Sequence, residues 1–300
     1  MKKLGGMYAP IPTPFFKDES IAFNELEKNL EKWLKLPLDG FVFPASNSEV
    51  AFLKDEEKTD IWRACFVQAK SKDKVCIAGT GCETTADTIA LTQKAAELGA
   101  DAALVIPPNF YTPLMTHKVL IDHYITIAEE SPIPLLLYNM PIYTGIDFLS
   151  ATLMELAHHP QIIGIKDNSS NTIKMESILA IVPDFLVFAG TGSALLPFLS
   201  FGAVGGIIAL ANIAANPLSR LILAHQNDNS AEARKLQLSL VALNTAITVR
   251  YGVPALKYAL DEMGFYGGPP RRPLQPLSEE GRAELDLLLK ELEGFPAEKR

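Results

Sequence analysis

Short apolar segments alternate with longer amphipathic segments along most of the chain. Eight segments rich in β-branched and other apolar residues are candidate strands, and their apolar runs are nearly continuous. They cover residues 6–12, 40–46, 75–81, 102–108, 134–140, 162–167, 185–192 and 205–212. Continuous apolar runs, in place of strict alternation, indicate strands that are covered on both faces, as in a parallel sheet.

Helical patterns fill the intervals between these strands. Examples cover residues 24–36, 55–71, 84–98, 115–130, 147–158 and 171–181. The segment TTADTIALTQKAAELGA illustrates the pattern, with a threonine suited to an N-cap, apolar residues at helical spacing and Gly99 at the end. Repeated strand–helix units favour a (β/α)8 TIM barrel. The alternative is a doubly wound open sheet, which usually has fewer strands and a glycine-rich first turn.

A further helical region follows the eighth unit. From about residue 226 the pattern is helical, with breaks at YGVPALKY and GFYGGPPRRPLQPLS. This region is too long to be one helix of a barrel. The sequence therefore predicts a catalytic barrel over residues 1–225 and a C-terminal helical extension over residues 226–300.

Composition narrows the class of protein. The 300-residue chain has a formal net charge of −8 and no cluster of Lys or Arg, so neither nucleic acid nor an anionic membrane surface is an expected partner. We expect no signal peptide, because the N-terminal segment lacks a long apolar core, and no apolar run is long enough for a membrane span. The three cysteines lack CxxC spacing, which indicates reduced thiols and a cytoplasmic protein. The five histidines form no metal-binding motif, so we expect no metal.

A lysine stands at the end of the sixth candidate strand. In QIIGIKDNSS, Lys166 ends an apolar run and a polar, turn-forming segment follows. One interpretation is a strand-end lysine that extends its ammonium group to water. In a barrel, however, the C-terminal ends of all strands meet at one mouth. Tyr138 ends the fifth candidate strand, and Ser46 and Asn47 end the second. This convergence favours a functional role for Lys166.

These residue types suit Schiff-base chemistry. A lysine in a partly apolar mouth has its ammonium form disfavoured, and the neutral amine attacks ketones and aldehydes. Tyr138 can move protons during the formation of the carbinolamine and the cleavage of a C–C bond. Ser46 and Asn47 suit the carboxylate beside a keto group. Taken singly, Tyr138 would be a packed aromatic and Glu49 a structural carboxylate. Ser46 and Asn47 would then be ordinary turn residues.

The tetrapeptide AGTG occurs twice, at residues 78–81 and 189–192. Glycine-rich loops after barrel strands can bind phosphate. Neither copy matches a known phosphate-binding motif or has a nearby Lys or Arg, so we interpret both as tight strand exits.

With these motifs the sequence resembles the dihydrodipicolinate synthase / N-acetylneuraminate lyase family of pyruvate-handling class I aldolases. The matching segments are GFVFPASNSEVAFL, YNMP, GIKDNS and GAVGGIIALAN, and the resemblance covers nearly the whole chain. It implies that Lys166 forms the Schiff base and that Tyr138 relays protons. Ser46 and Asn47 would bind the keto-acid carboxylate, and the main chain at Ile207 would line the site. The family also implies a homotetramer, arranged as a dimer of dimers, without a metal or an organic cofactor.

Three positions depart from the family pattern. Tyr143 stands where dihydrodipicolinate synthases carry an arginine that grips the carboxylate of the second substrate. Phe110 replaces a tyrosine that often reaches across a subunit boundary, and Ser48 replaces a loop glycine. Because Phe110 cannot relay a proton, either Tyr111 or water substitutes, or the relay is shorter.

Other segments resemble the 4-hydroxy-2-oxoglutarate aldolases more closely. They are the SN pair in the second loop, AGTGCET, SPIPLLLYNMP with the following TG, and the tail YGVPALKYALDEMGFYGGPPRRPLQPLS. This resemblance predicts cleavage of a 4-hydroxy-2-oxo acid, with 4-hydroxy-2-oxoglutarate giving pyruvate and glyoxylate, and it implies that Asn168 contacts the substrate. The alternatives are dihydrodipicolinate synthesis from pyruvate and aspartate semialdehyde, a 2-keto-3-deoxy sugar-acid aldolase, and a barrel that only binds a keto acid.

Overall fold

The strands form a closed parallel barrel. The computed structural model describes residues 4–292, in which eight strands pair in sequence order and the eighth pairs with the first. The strands are β1 (Gly6–Pro10), β2 (Gly40–Phe43), β3 (Val75–Gly79), β4 (Ala102–Val105), β5 (Leu135–Asn139), β6 (Ile162–Asp167), β7 (Leu186–Ala189) and β8 (Gly205–Ile207). The predicted (β/α)8 barrel is confirmed.

Most strands end earlier than the apolar pattern predicts. β2 ends at Phe43 instead of residue 46, and β8 ends at Ile207 instead of residue 212. The apolar pattern continues past the strand ends because loop residues at the mouth are also buried. After β8, for example, Ala209–Asn212 form a short helical turn in which every residue is buried. β6 has the predicted bounds, residues 162–167.

Helices follow the strands, and most of them cover the outer face of the barrel. They are α1 (Phe23–Trp33), α2 (Asp55–Lys70), α3 (Thr85–Glu97), α4 (His117–Glu130), α5 (Pro141–Thr144), α6 (Ser150–Leu156), α7 (Thr172–Leu179), α8 (Leu195–Ser200) and α9 (Ala215–Gln226). The predicted threonine cap is confirmed at α3, where the Thr84 hydroxyl accepts the backbone N–H of Asp87 at 3.0 Å. Gly99 follows α3 with a φ of +97°, a left-handed conformation that favours glycine.

The apolar core has two layers. The interior of the barrel is filled by a cluster that includes Tyr8, Phe188 and Ile207, each fully buried. A larger cluster, which includes Trp33 and Trp62, lies between the strands and the helices. Burial of a large apolar side chain contributes about 1.5–3 kcal/mol, so both layers hold the strand ends at the mouth in fixed positions.

Three helices follow the barrel: α10 (Ser230–Thr245), α11 (Val253–Glu262) and α12 (Glu279–Leu292). α10 continues into a π-helical turn over Ala246–Arg250. The predicted break at YGVPALKY begins between this turn and α11, and the break at GFYGGPPRRPLQPLS separates α11 from α12. Within residues 4–292, no helix combines the length and the apolar character needed to cross a membrane.

The division into a barrel over residues 1–225 and an extension over residues 226–300 stays a prediction. The last barrel helix, α9, ends at Gln226, next to the predicted boundary. α10 then packs against α9, and α12 packs against α10 and α11. Residues 1–3 and 293–300, which the two predicted ranges include, lie outside the described residues.

Candidate active site

Lys166 lies inside the mouth end of the barrel. It is in β6, where it forms a register pair with Tyr138 of β5. The lysine is only 2% exposed, and its ammonium nitrogen lies 4.1 Å from the centroid of the Tyr138 ring. Burial lowers the pKa of Lys166 from 10.5 to about 7, because an ammonium group out of water is disfavoured. A large fraction of this amine is therefore neutral at physiological pH.

The hydroxyl of Tyr138 has one defined partner, the Oγ of Ser46 at 2.9 Å. Burial raises the pKa of Tyr138 to about 12, and the hydrogen bond with Ser46 opposes part of that shift. The phenol is thus protonated over the whole physiological range. Tyr138 therefore contacts Lys166 through its ring and Ser46 through its hydroxyl.

Ser46 and Asn47 belong to a helical turn, Ser46–Ser48, that follows β2. Ser48 fixes this turn with two hydrogen bonds. Its hydroxyl accepts the backbone N–H of Ala45 at 2.9 Å and donates to the carbonyl of Ile11. Ser48 itself is buried. The serine that departs from the family glycine therefore ties the turn to the segment after β1.

A cavity of about 350 Å³ opens between the barrel mouth and the C-terminal helices. It brings together five of the predicted site residues, namely Ser46, Asn47, Tyr138, Lys166 and Asn168. The sixth, Ile207, is fully buried in the barrel interior in the same cluster as Tyr138 and is not among the residues that line the cavity. Ala209, two residues later, lines it instead.

Some cavity residues escaped the sequence analysis. Thr191 and Ser193 follow β7, and Asn244 and Thr248 come from the end of α10 and the π-helical turn. Asn244 Nδ2 donates to Thr191 Oγ1 at 2.9 Å and to Ser193 Oγ at 2.8 Å. Thr191 had a local signal, since it belongs to the second AGTG segment. Asn244 had none, because only tertiary packing places α10 at the mouth.

Asn168 presents a buried acceptor at the cavity. Its Nδ2 donates to the carbonyl of Gly190 at 2.9 Å, and this bond fixes the orientation of the amide. Within the described residues its Oδ1 is buried and has no hydrogen-bond partner. This oxygen lies against Gly190, where an added Cβ would be 2.1 Å away.

A network of hydrogen bonds and an ion pair outside the barrel interior holds the ends of β5 and β6. Asp167 follows Lys166 in β6 and is buried, and burial raises the pKa of its carboxyl group. Asn139 Nδ2 donates to Asp167 at 2.6 Å and to Asp147 at 2.8 Å. Lys174 of α7 forms an ion pair with Asp147. These bonds join the ends of β5 and β6 and so fix Tyr138 and Lys166 relative to each other.

The cavity lining combines polar and apolar side chains and carries little charge. Among the residues described, Lys166 is the only Lys, Arg or His that lines it, and no Asp or Glu does. Tyr143 lines the wall and is partly exposed. In residues 4–292, no group of three or more His, Cys, Asp or Glu side chains is arranged to hold a metal ion.

Phe110 and Tyr111 lie outside the cavity. They are 77% and 63% exposed, and their rings meet edge to face with centroids 5.0 Å apart. The backbone here is tied to Glu83, whose carboxylate accepts the N–H of Phe110 at 3.0 Å. Within one chain, Tyr111 therefore does not reach the Tyr138 hydroxyl.

Comparisons with known proteins identify the family of this chain. The chain matches the model of the dihydrodipicolinate synthetase family over residues 3–292. It is 35% identical over 284 residues to a probable mitochondrial 4-hydroxy-2-oxoglutarate aldolase of Emericella nidulans, covering 93% of this chain and 92% of the relative. It is 31% identical over 282 residues to a 4-hydroxy-tetrahydrodipicolinate synthase of Caldicellulosiruptor bescii, covering 94% and 95% of the two chains.

A solved structure shows the same architecture. The chloride-inhibited dihydrodipicolinate synthase of Acinetobacter baumannii, complexed with pyruvate, has a TM-score of 0.91 and 31% identity to this chain, with 98% of this chain and 100% of that one covered. The family match spans almost the whole chain, and the relatives span it as well. The protein belongs to the dihydrodipicolinate synthetase family.

Proposed function

We propose that this protein is a class I aldolase that cleaves 4-hydroxy-2-oxoglutarate to pyruvate and glyoxylate. The observation that carries the proposal is Lys166, a buried lysine with a pKa of about 7 that lies against Tyr138 in a ligand-sized cavity. Family membership supports lyase chemistry on keto acids. The similarity to the Emericella nidulans protein, named as a 4-hydroxy-2-oxoglutarate aldolase, supports this substrate.

The first step is formation of an iminium ion. The neutral amine of Lys166 adds to the C2 carbonyl carbon, and Tyr138 transfers a proton from nitrogen to the carbonyl oxygen to give the carbinolamine. Uptake of one proton and loss of water leave the protonated imine. The hydrogen bond between Tyr138 and Ser46 keeps the phenol aimed at these atoms.

The second step is cleavage of the C3–C4 bond. Removal of the proton on the C4 hydroxyl turns that oxygen into a carbonyl, and the electrons of the broken bond form an enamine with the iminium nitrogen as the electron sink. Tyr138 is the proposed carrier of this proton, with Ser46 and water completing the relay. Glyoxylate leaves, C3 is protonated, and water hydrolyses the remaining iminium to release pyruvate and the free amine of Lys166.

Side chains around the cavity fit the other groups of this substrate. The hydroxyl of Ser46 and the amide of Asn47 suit the carboxylate next to C2, with the main chain at Ile207 behind it. Asn168, which lines the cavity, is the proposed contact of the C4 hydroxyl. Thr191 and Ser193 accept hydrogen bonds from an amide, so their own protons remain available for the distal carboxylate.

The second candidate is dihydrodipicolinate synthesis, because the Caldicellulosiruptor bescii relative and the Acinetobacter baumannii structure carry that name. Against it stands the absence of a guanidinium group from the cavity lining in the described chain, since Tyr143 replaces the arginine. A 2-keto-3-deoxy sugar acid would also find hydroxyl groups on this wall. The turnover experiment below therefore includes aspartate semialdehyde and a 2-keto-3-deoxy sugar acid.

A borohydride trap tests the nucleophile first. The protein is incubated with pyruvate, reduced with sodium borohydride and weighed, and the modified peptide is mapped. We expect an adduct on Lys166 that is missing from Lys166→Ala, which should keep the far-ultraviolet circular dichroism of the native protein. An adduct on another lysine, or none, would refute the Schiff base and favour a barrel that only binds keto acids.

Turnover then identifies the substrate. Initial rates are compared for cleavage of 4-hydroxy-2-oxoglutarate, condensation of pyruvate with aspartate semialdehyde, and cleavage of 2-keto-3-deoxygluconate. We expect the first to be fastest. Condensation that exceeds it by about tenfold, a difference of about 1.4 kcal/mol in barrier, would overturn our substrate assignment while leaving the Schiff base intact.

We also propose a cytoplasmic homotetramer. Support comes from apolar side chains exposed near the mouth, including Phe110, Tyr111, Leu114 and Ile142. A hydrogen bond from Thr112 to the carbonyl of Thr144 joins the two loops that carry them. Such patches mark association surfaces in many proteins. Analytical ultracentrifugation at micromolar concentration should show four chains per particle, and a monomer would contradict this proposal.

A further inference from the structure

A buried ion pair joins the C-terminal helices to the turn that carries Ser46 and Asn47. Glu49 directly follows that turn, and Lys257 lies in α11. Their charged groups are 2.5 Å apart, and their side chains are 0% and 1% exposed. We call this ion pair the Glu49–Lys257 clamp. Removing two charges from water carries a large desolvation cost, so a buried ion pair often adds little to stability. We therefore looked for a functional role of this pair.

The backbone at Glu49 is also unusual. Its φ is +59°, in the left-handed region that residues other than glycine seldom adopt. Its N–H donates to the carbonyl of Ser46 at 3.1 Å, which closes the turn. The left-handed conformation turns the chain so that the Glu49 side chain points into the protein while Ser46 and Asn47 line the cavity. Strain of this kind persists where neighbouring contacts enforce it.

The contacts of Glu49 come from two places in the C-terminal region. One carboxylate oxygen meets Lys257, and the other accepts the backbone N–H of Arg271 at 2.8 Å. The Lys257 amine also donates to the carbonyl of Pro269 at 2.9 Å. Lys257 and Arg271 lie on the ring of Phe15, at 4.4 and 4.2 Å from its centroid. The carboxylate is therefore held between α11 and the segment that follows it.

Arg271 also contacts the residues that follow the turn. Its guanidinium group donates to the carbonyl of Phe52 at 2.7 Å and pairs with both oxygens of Glu57 at 2.7 and 2.9 Å. Phe52 lies just after the Ser46–Glu49 turn, and Glu57 lies in the first turn of α2. The C-terminal region thus forms hydrogen bonds and ion pairs with the chain at Glu49 and again at Phe52 and Glu57.

One helix carries both the clamp and part of the cavity wall. Val253, the first residue of α11, lines the cavity, and Lys257 lies one turn further along the same helix. A change in the position of α11 would therefore alter the cavity wall and the Ser46–Asn47 turn together. Neither clamp residue lines the cavity, so neither touches the substrate.

We propose that Glu49 and Lys257 are positioning residues, which hold Ser46 and Asn47 where they bind the keto-acid carboxylate. The inference rests on the proposed function, because it assigns the carboxylate to that turn. It gives the C-terminal region a part in substrate binding beyond forming the cavity wall. Loss of the clamp should weaken binding of the carboxylate and leave the chemistry of Lys166 in place.

The test compares pyruvate with its methyl ester, which lacks the anionic carboxylate. Adduct formation on Lys166 is followed by intact mass under borohydride at increasing concentration of each ketone. The ratio of the two half-saturating concentrations measures the preference for the carboxylate. Two variants are used: Glu49→Gln, which keeps the shape of the side chain, and the double variant Glu49→Gln with Lys257→Met, which removes both buried charges.

We expect the preference for pyruvate over the ester to fall by about tenfold in both variants, because charge-assisted hydrogen bonds depend on geometry. The adduct on Lys166 should still form at saturating pyruvate. Ile127→Ala is the matched control. Ile127 is fully buried in α4, a barrel helix that packs against α3 and α6 and carries neither clamp residue, so this variant is destabilised but should keep the wild-type preference.

Each unexpected result rejects a different part of the proposal. Wild-type preference in both clamp variants would overturn the positioning role, since the pair would then be only structural. An equal fall in Ile127→Ala would also overturn it, because general destabilisation would account for the effect. Absence of a Lys166 adduct in the wild-type protein would instead reject the proposed function itself. If Glu49→Gln fails to fold, the double variant still decides, because it leaves no unpaired buried charge.

Discussion

Tyr138 and Lys166 are register partners on β5 and β6, and the lysine amine lies over the face of the tyrosine ring at 4.1 Å from its centroid. Side chains alternate between the two faces of a strand, so this register places both groups inside the barrel. The next pair, Asn139 and Asp167, points to the other face and forms a hydrogen bond there at 2.6 Å. A slip of one residue would exchange the two pairs and bury the nucleophile behind the barrel wall.

Burial of Lys166 predicts the pH dependence of catalysis. The pKa lies near 7, so the amine is a non-nucleophilic ammonium ion below that pH and a neutral nucleophile above it. We expect kcat/KM for keto-acid cleavage to rise with pH through a midpoint near 7 and then level off, because kcat/KM reports groups of the free enzyme. A midpoint near 10, the range of an exposed lysine, would show that the amine is solvated.

The Tyr138 hydroxyl should matter for rate more than for binding. Tyr138→Phe keeps the ring beside Lys166 and removes the hydroxyl that pairs with Ser46. We expect kcat to fall by about a hundredfold or more, with a much smaller change in KM, if the phenol carries protons. Tyr111→Phe is the comparison, and we expect it to be near wild type because Tyr111 lies outside the cavity. A large loss in that variant would place Tyr111 in the relay.

Tyr143 should control which second substrate the cavity prefers. Tyr143→Arg introduces a guanidinium group at the wall, where it can form charge-assisted bonds to the carboxylate of aspartate semialdehyde. We expect the rate of condensation relative to 4-hydroxy-2-oxoglutarate cleavage to rise by about tenfold, from about 1.4 kcal/mol of added interaction. Tyr143→Phe, which removes the hydroxyl without adding charge, should not produce this rise. An unchanged ratio in Tyr143→Arg would mean that the residue does not face the second substrate.

Gly190 is required for the close packing behind Asn168. A Cβ at this position would lie 2.1 Å from Asn168 Oδ1 and 2.6 Å from the carbonyl oxygen of Asp167. Gly190→Ala should therefore displace Asn168, raise KM for the hydroxy-keto acid and lower the free energy of unfolding by about 1–3 kcal/mol. At Gly5 the nearest atom to an added Cβ is 3.5 Å away, so Gly5→Ala should be nearly neutral. Urea denaturation and steady-state kinetics of both variants test this, and equal behaviour would contradict it.

Local patterns in the sequence determined the fold class and the central pair of the site. Eight continuous apolar runs of strand length, separated by amphipathic segments, favour a barrel, because each run must be covered on both faces and an open doubly wound sheet usually has fewer strands. Lys166 and Tyr138 were identifiable because they lie near strand ends, and Ser46 and Asn47 because they follow a strand closely; parallel strands place those ends together. The family resemblance added their roles and the position of Asn168.

Only the tertiary structure decided the rest. The pKa of Lys166 follows from burial, which depends on every element around the mouth and not on neighbours in sequence. Asn244 enters the cavity only because α10 packs there, and Glu49 meets Arg271 across 222 residues. Contacts over such separations leave no periodic pattern in either segment. The sequence by itself therefore determined which polar residues lie near the strand ends, and tertiary packing decided where most strands stop, how strongly these residues are desolvated and what holds them in place.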